Sequence, residues 1–124
     1  MDIIEKTIQK RSLIRLTGDR DWLKLANYLD LNKLPFSYRM INIFGNAIPN
    51  KHCESNIQKV LPNNFRELHW LEIHSSNSLS SGTIKNPEPQ ACENTLLALE
   101  ICRNLELFCC KTTYGVKIIG YEHN

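Results

Sequence analysis

Residues 66–74 read RELHWLEIH and carry the clearest strand pattern in the chain. The apolar residues of this segment fall on both alternating sides of an extended backbone: Leu68, Trp70, Leu71 and Ile73. Apolar residues on both sides are typical of a central strand that is covered on each face. The segment therefore predicts a sheet with further elements around it.

Other periodicities supply those elements. Alternation predicts strands at 36–44, 107–112 and 116–121, and helical spacing predicts helices at 2–15, 20–31 and 88–105. A tight hairpin is expected at 112–115, with Gly115 at a positive φ. The predicted fold is α/β of the α+β type, a single domain over residues 1–124 with an antiparallel four-stranded sheet covered by two or three helices. An N-terminal helix within residues 1–17 can lie at the periphery. The predicted core contains Trp22, Leu25, Met40, Ile41, Trp70, Leu71, Ile73, Leu99, Cys102, Phe108 and Ile118.

Composition excludes several classes of protein. Apolar residues make up 42% of the chain and charged residues 23%, which fits a soluble globule and excludes collagen-like and disordered chains. No stretch reaches the roughly 18 apolar residues that span a bilayer. The first residues, MDIIEKTIQKR, do not resemble a secretory signal sequence. We therefore expect a cytoplasmic protein without membrane association.

The five cysteines form no recognisable metal-binding pattern. They are Cys53, Cys92, Cys102, Cys109 and Cys110. His52 and Cys53 are adjacent and would point apart on an extended chain, and no other histidine completes a ligand spacing. We expect free, buried thiols, no metal and no cofactor.

Acid–base groups with useful spacing lie in the strand predicted at 66–74. Glu67 and His69 are two residues apart, as are Glu72 and His74, so each pair should share a face and the two pairs should lie on opposite faces. A carboxylate beside an imidazole can exchange protons as cleavage of RNA requires. A small metal-independent ribonuclease is one alternative, although the same residues could simply be solvated at the rim of a sheet.

A nucleic-acid-binding module is another alternative. Basic residues lie along the predicted first helix, where they could follow a phosphate backbone: Lys6, Lys10, Arg11 and Arg15. Aromatic residues do not alternate with them, and the net charge of +2 is modest for a dedicated nucleic-acid binder.

Several short motifs between residues 22 and 121 carry a resemblance. They are Trp22, Leu34-Pro35, Gly45, the W-L-E-I sequence at 70–73 and the G-V-K-I-I-G-Y sequence at 115–121. In these motifs the chain resembles a family of small bacterial proteins without an assigned function. That family supplies no catalytic residues.

The chain is also similar in character to the immunity proteins of bacterial contact-dependent growth inhibition. Such proteins are small, cytosolic α/β chains that bind a toxin domain and need no catalytic step. The resemblance implies that the protein is not an enzyme, that it does not bind nucleic acid directly, and that its partner is a cognate toxin domain, a nuclease.

The charge layout indicates which residues could meet such a partner. Residues 1–66 carry a formal charge of +5 and residues 67–124 a charge of −3. An acidic surface can face the basic cleft of a nuclease because carboxylates mimic phosphate. The candidate toxin-binding residues are Glu88, Glu93 and Glu100 of the predicted third helix, with Glu67 and Glu72 as second choices.

Overall fold

A central antiparallel sheet organises the fold. The computed structural model describes residues 2–32, 34–75 and 89–124, with side chains in the last range from Glu93 onward. In chain order the elements are α1 (Ile3–Lys10), β1 (Leu13–Arg15), α2 (Asp19–Leu31), β2 (Ser37–Asn42), β3 (Ala47–Ile48), β4 (Leu68–His74), α3 (Pro89–Asn104), β5 (Cys109–Lys111), β6 (Gly115–Ile119) and β7 (Tyr121–His123). Single 3-10 turns occupy Ile57–Lys59 and Phe65–Glu67.

The α+β, single-domain prediction is confirmed, with one difference in the sheet. The main sheet of the described residues has five strands, in the order β3-β2-β4-β6-β5, and every neighbouring pair is antiparallel. The predicted four-stranded sheet lacked β3. This strand is only two residues long and lies within an Asn-rich stretch that was predicted to be a loop. A separate two-stranded sheet pairs β1 with β7.

The core lies on one side of the main sheet, beneath α2 and α3. The apolar stripe of α2 is buried as its spacing predicts: Trp22, Leu25, Ala26 and Leu29. It belongs to the same cluster as the buried side chains of β2, β4 and β6, which include Met40, Leu71, Ile73 and Ile118. Ala98, Ile101 and Cys102 add the inner side of α3 to this cluster.

Four of the predicted core residues are not buried. Phe108 is 54% exposed because Leu107 and Cys109, on either side of it, take the positions against the core. Ile41 and Trp70 are half-buried and lie opposite each other in the β2–β4 register, on the face away from the core. Leu99 is half-buried at the margin of the main cluster.

The N-terminal segment differs most from its prediction. The helix predicted at 2–15 ends at Lys10, and residue Ser12 has φ 53°, which breaks the helix. Leu13 to Arg15 then pair with β7, the C-terminal strand. A second apolar cluster results, in which Ile4 and Leu13 pack with Ile43 and Tyr121. Long-range strand pairing outweighed the helical spacing, because pairing with β7 brings Leu13 into this second apolar cluster.

The thiols are free in the described part of the chain, but they differ in burial. Cys102 is buried, Cys53 and Cys109 are half-buried, and Cys110 is exposed on the edge strand β5. The expectation of buried thiols is therefore wrong for Cys110, and the side chain of Cys92 lies outside the described residues.

The hairpin glycine is required for a reason other than the expected one. Gly115 is absent from the residues with positive φ, so the predicted turn conformation is wrong. A Cβ atom at Gly115 would lie 2.1 Å from the carbonyl oxygen of Ile73, and one at Gly120 would lie 2.2 Å from that of Leu68. Both glycines permit the close approach of the C-terminal strands to β4.

Candidate functional site

A bulge in β4 determines which of its side chains leave the core. Ile41 pairs with Trp70 and Asn42 with Leu68, so His69 is an extra residue in the ladder. The bulge lets Leu68 join the core and brings the His69 ring to 4.8 Å from the Trp70 ring, centroid to centroid. The expected strand pair of Glu67 and His69 does not form, because Glu67 lies in the 3-10 turn before the strand.

Glu72 is at the centre of a polar group on the face of β4 away from the core. One carboxylate oxygen accepts a hydrogen bond from Trp70 Nε1 at 2.8 Å. The other lies 3.1 Å from His74 Nε2, so the expected contact between Glu72 and His74 is present. The hydrogen bond from His74 is the main cause that lowers the pKa of Glu72. The carboxylate is therefore ionised at neutral pH.

His74 joins this carboxylate to a thiol. Its Nδ1 atom lies 3.2 Å from Cys53 Sγ, on the other side of the ring from Glu72. The Tyr114 ring is stacked on the imidazole, with centroids 5.4 Å apart and planes 13° from parallel. We call Cys53, Trp70, Glu72, His74 and Tyr114 the Glu72 cluster.

Backbone hydrogen bonds position Cys53 within the Glu72 cluster. The next residue, Glu54, exchanges two backbone hydrogen bonds with Tyr38, at 2.8 and 3.0 Å, and so continues the sheet beside β2. This bridge holds the loop that carries Cys53 against the strand next to β4. Cys53 is therefore fixed relative to His74, although 21 residues separate them.

The surroundings of Cys53 shift the pKa of its thiol in opposite directions. Burial, and to a smaller extent the negative charge of Glu72, raise the pKa of its thiol, while the Ser37 hydroxyl and the positive charge of Arg39 act to lower it. Ser37 and Arg39 are paired with His74 and Glu72 in the β2–β4 register, which explains their proximity. Because burial is the largest cause, Cys53 rests as a neutral thiol at neutral pH.

Two cations border the same face. Lys117 Nζ lies 4.0 Å from the centroid of the Trp70 ring, where a cation–π attraction is expected. Arg39 has a buried Nε atom with no hydrogen-bond partner among the described residues. The face is thus positively charged on either side of the Glu72 carboxylate.

His69 has a different environment from His74. Burial lowers the pKa of His69 to about 4, and the charges of Arg11, His123 and Lys117 act in the same direction. His69 is therefore neutral over the physiological range. It cannot serve as a protonated general acid near pH 7.

The predicted toxin-binding carboxylates divide into separate groups. Glu93 and Glu100 are exposed on α3, and Leu96, between them on the same side of the helix, is 65% exposed. We call these three residues the acidic face of α3. Glu72 belongs instead to the Glu72 cluster on the other side of the sheet, and Glu67 is half-buried. Glu88 lies outside the described residues.

The basic residues of the N-terminal segment do not form the continuous helical face that the sequence predicts. Lys6 and Lys10 are exposed on α1. Arg11 donates a hydrogen bond to the carbonyl oxygen of Ile43, and Arg15 forms an ion pair with Asp19. Two of the four cations are thus used in contacts within the fold.

A cleft lies away from these groups. It has a volume of about 440 Å³ and is lined by residues at the end of α2, by the loop at 55–57 and by Tyr38. Burial raises the pKa of Tyr38 to about 12, so its hydroxyl stays protonated. The acid–base groups that are in contact, Glu72 and His74, lie outside this cleft, in the Glu72 cluster.

Within 2–32, 34–75 and 89–124, no three histidine, cysteine or acidic side chains converge as they would around a metal ion. No helix in that part of the chain has both the length and the apolar character needed to cross a membrane.

Cys53 is the functional candidate that sequence reasoning did not identify. It lies in a polar loop beside the exposed His52, and no spacing relates it to His74. The contact depends on the bridge between Glu54 and Tyr38, which only the folded sheet specifies. No signal in the sequence alone could have found it.

Comparison with known proteins gives a family but no described activity. No curated protein and no solved structure matches the chain. A family model matches residues 4–124, which include every element from α1 to β7 except the first residue of α1. The chain therefore belongs to the family of unknown function DUF6678.

Proposed function

We propose that this chain is a cytoplasmic immunity protein that binds one cognate toxin domain, a nuclease, and blocks its active site or its partner surface. The protein acts by occupying a surface, and binding requires no catalytic step. The acidic face of α3 is the single observation that carries the proposal. It combines an exposed apolar side chain with two exposed carboxylates on one rigid helix.

The spacing on α3 suits a protein interface. Glu93, Leu96 and Glu100 occur at i, i+3 and i+7, which places them on one side of the helix. A leucine in this position can fill an apolar pocket on the partner, and the carboxylates around it can meet basic groups. A nuclease offers such basic groups because its cleft binds phosphate.

The inner side of α3 supports the same surface. Ala98, Ile101 and Cys102 are buried in the main cluster, and Asn94 donates a hydrogen bond to the backbone oxygen of Ser75. The helix is therefore fixed to the sheet while its acidic face is free of core packing. A preorganised helix loses little conformational freedom when it binds.

The test is co-purification with the product of the neighbouring gene in the native host, followed by charge reversal. The double variant Glu93→Lys and Glu100→Lys should weaken the complex at least ~100-fold, since close charge pairs at interfaces contribute about 1.5–7 kcal/mol each. Glu122→Lys, an exposed glutamate on β7, is the matched control and should leave the affinity unchanged. If the neighbouring product neither binds nor is neutralised in cells, the immunity function is wrong; an undisturbed complex after charge reversal places the interface elsewhere.

A metal-independent ribonuclease is the second candidate, because the Glu72 cluster holds a carboxylate and an imidazole in contact. Purified protein should then cleave bulk RNA, and His74→Ala should lower the rate at least ~100-fold. Salt-sensitive RNA binding without cleavage would indicate a nucleic-acid-binding module instead.

A further inference from the structure

We propose that Cys53 is a nucleophile and His74 its general base, positioned by Glu72, in a site that hydrolyses esters or thioesters. This activity lies beyond the binding function and does not depend on it. The acidic face of α3 and the Glu72 cluster lie on different sides of the sheet, so each can be removed without the other.

The first argument is the protonation of His74. Glu72 is ionised and can only accept a hydrogen bond, so His74 Nε2 carries the proton in the 3.1 Å contact. In a neutral imidazole the other nitrogen, Nδ1, then has a free lone pair. That lone pair faces Cys53 Sγ at 3.2 Å, and the thiol therefore donates to it. This is the tautomer that a general base for Cys53 requires.

The second argument is the support around the three groups. Trp70 Nε1 occupies the second oxygen of Glu72 and fixes the orientation of the carboxylate. Tyr114 stacks on the His74 ring and restricts its rotation. The Glu54 bridge to Tyr38 holds the backbone next to Cys53. A nucleophile, a base and the group that orients the base are thus each held by an independent contact, as nucleophilic catalysis needs.

The third argument is the means to stabilise a thiolate as it forms. The Ser37 hydroxyl and the Arg39 guanidinium favour the thiolate of Cys53, whereas burial and the negative charge of Glu72 oppose it. The buried Arg39 Nε has no hydrogen-bond partner among the described residues, so it retains donor capacity beside the site.

The reaction balances with water as the only co-reactant. Cys53 Sγ attacks the carbonyl carbon of the substrate, its proton passes to His74 Nδ1, and an S–C bond forms. The bond from that carbon to the alcohol or thiol leaving group breaks, and the leaving group takes the proton from Nδ1. A water molecule then attacks the acyl-enzyme, giving a proton to Nδ1. The C–S bond breaks, Cys53 recovers that proton, and a carboxylic acid leaves.

The test uses p-nitrophenyl acetate with the purified full chain. We expect a burst of p-nitrophenol equal to one Cys53 per chain, and an acetyl group on Cys53 in the peptide mass spectrum. Cys53→Ser should abolish the acetyl-thioester, and His74→Ala should slow acylation at least ~100-fold. Two matched controls should keep the wild-type rate: Cys110→Ser removes the exposed thiol of β5, and His52→Ala removes the exposed imidazole next to Cys53.

Glu72 is a positioning residue and needs a separate readout. Glu72→Gln should lower kcat at least ~100-fold with little change in KM, because the amide favours the wrong tautomer of His74 but leaves the substrate contacts in place. A Glu72 with a purely structural role would change the free energy of unfolding without this split between kcat and KM.

Three outcomes overturn the proposal. They are acetylation at Cys110 in place of Cys53, an acylation rate in His74→Ala equal to that of the wild type, and p-nitrophenol release no faster than in Cys53→Ser. Far-ultraviolet circular dichroism confirms that each variant is folded, and Cys53→Ser is close to the natural residue in size. RNA cleavage that survives in Cys53→Ser would belong to the ribonuclease candidate, so the two activities are distinguishable.

Discussion

The two faces of β4 use alternate residues of one strand for different purposes. On the inner face Leu71 and Ile73 are fully buried in the main core cluster. On the outer face Trp70, Glu72 and His74 are half-buried and hydrogen-bonded to one another. The stability of the inner face depends on packing and does not change with charge. The contacts of the outer face depend on the protonation of Glu72 and His74. Stability and chemistry can therefore be perturbed separately in this strand.

The largest effect is expected on the inner face. Leu71→Ala should lower the free energy of unfolding by about 4 kcal/mol, because Leu71 is 0% exposed and its removal leaves a cavity at the centre of the sheet. Urea unfolding followed by circular dichroism measures the change.

Leu96→Ala is the matched control for Leu71→Ala. Leu96 is 65% exposed, so the variant should change the free energy of unfolding by less than about 0.5 kcal/mol. A loss at Leu96 as large as the loss at Leu71 would mean that α3 is covered in the folded chain, which contradicts a free acidic face.

The next effect concerns the contact between β4 and the C-terminal strands. Gly120→Ala should cost about 3 kcal/mol, since the new Cβ would lie 2.2 Å from a backbone oxygen that cannot move aside. Gly18→Ala adds the same methyl group where nothing lies within 4 Å, and should cost less than about 1 kcal/mol. Thermal unfolding of both variants measures the difference. A loss of stability in Gly120→Ala as small as the loss in Gly18→Ala would show that the strands can separate without cost.

These two faces also show how far the sequence could predict the structure. The core positions of Leu71 and Ile73 and the stripe from Trp22 to Leu29 depend on local spacing, and the sequence predicted both. The prediction that β4 is covered equally on both faces is wrong, because Trp70 on the outer face is only half-buried. Leu13 could not be placed, because its partner His123 lies 110 residues away and only the β1–β7 ladder makes it a strand residue.

The candidate site was predictable only in part, for the same reason. Glu72 and His74 are neighbours on one strand, so their contact follows from their spacing. The bulge that turns His69 towards Trp70 depends on the register of β2, and Cys53 reaches His74 through the bridge between Glu54 and Tyr38. When a site is built from side chains of different strands and loops, no local spacing in the sequence reveals it.

His69, the bulge residue of β4 beside Trp70, should make the free energy of unfolding depend on pH. Its pKa is about 4 when folded and 6.5 in the unfolded chain, so the unfolded state binds a proton that the folded state excludes. The stability contributed by neutral His69 is thus complete above pH 6.5 and is lost as the pH falls towards 4. Between pH 7 and pH 5 the free energy of unfolding should fall by about 2 kcal/mol from this residue.

Urea unfolding at both pH values isolates this contribution. His69→Gln cannot titrate, so the fall should be smaller by about 2 kcal/mol in that variant. His52→Gln removes an exposed imidazole and should keep the full fall. Glu72 does not interfere, because its lowered pKa moves its own loss of stability below pH 4.5. Parallel curves for His69→Gln and the wild type would refute a depressed pKa at His69.

The smallest effect tests whether the border of the outer face contributes to stability. Lys117→Met keeps most of the side-chain stem but removes the ammonium group that lies 4.0 Å from the centroid of the Trp70 ring. The variant should lose about 0.5–1 kcal/mol of unfolding free energy, the value of a cation–π contact at a partly exposed site. Lys111→Met, on the exposed edge strand β5, is the control and should change stability by less than about 0.5 kcal/mol.

The fluorescence of Trp70 should also change in Lys117→Met, because the charge over its ring is gone. If Lys117→Met instead stabilises the protein, the cost of desolvating the ammonium exceeds its attraction to the ring. Lys117 would then be kept at the expense of stability, as a positive charge beside Glu72 that serves the chemistry of the outer face.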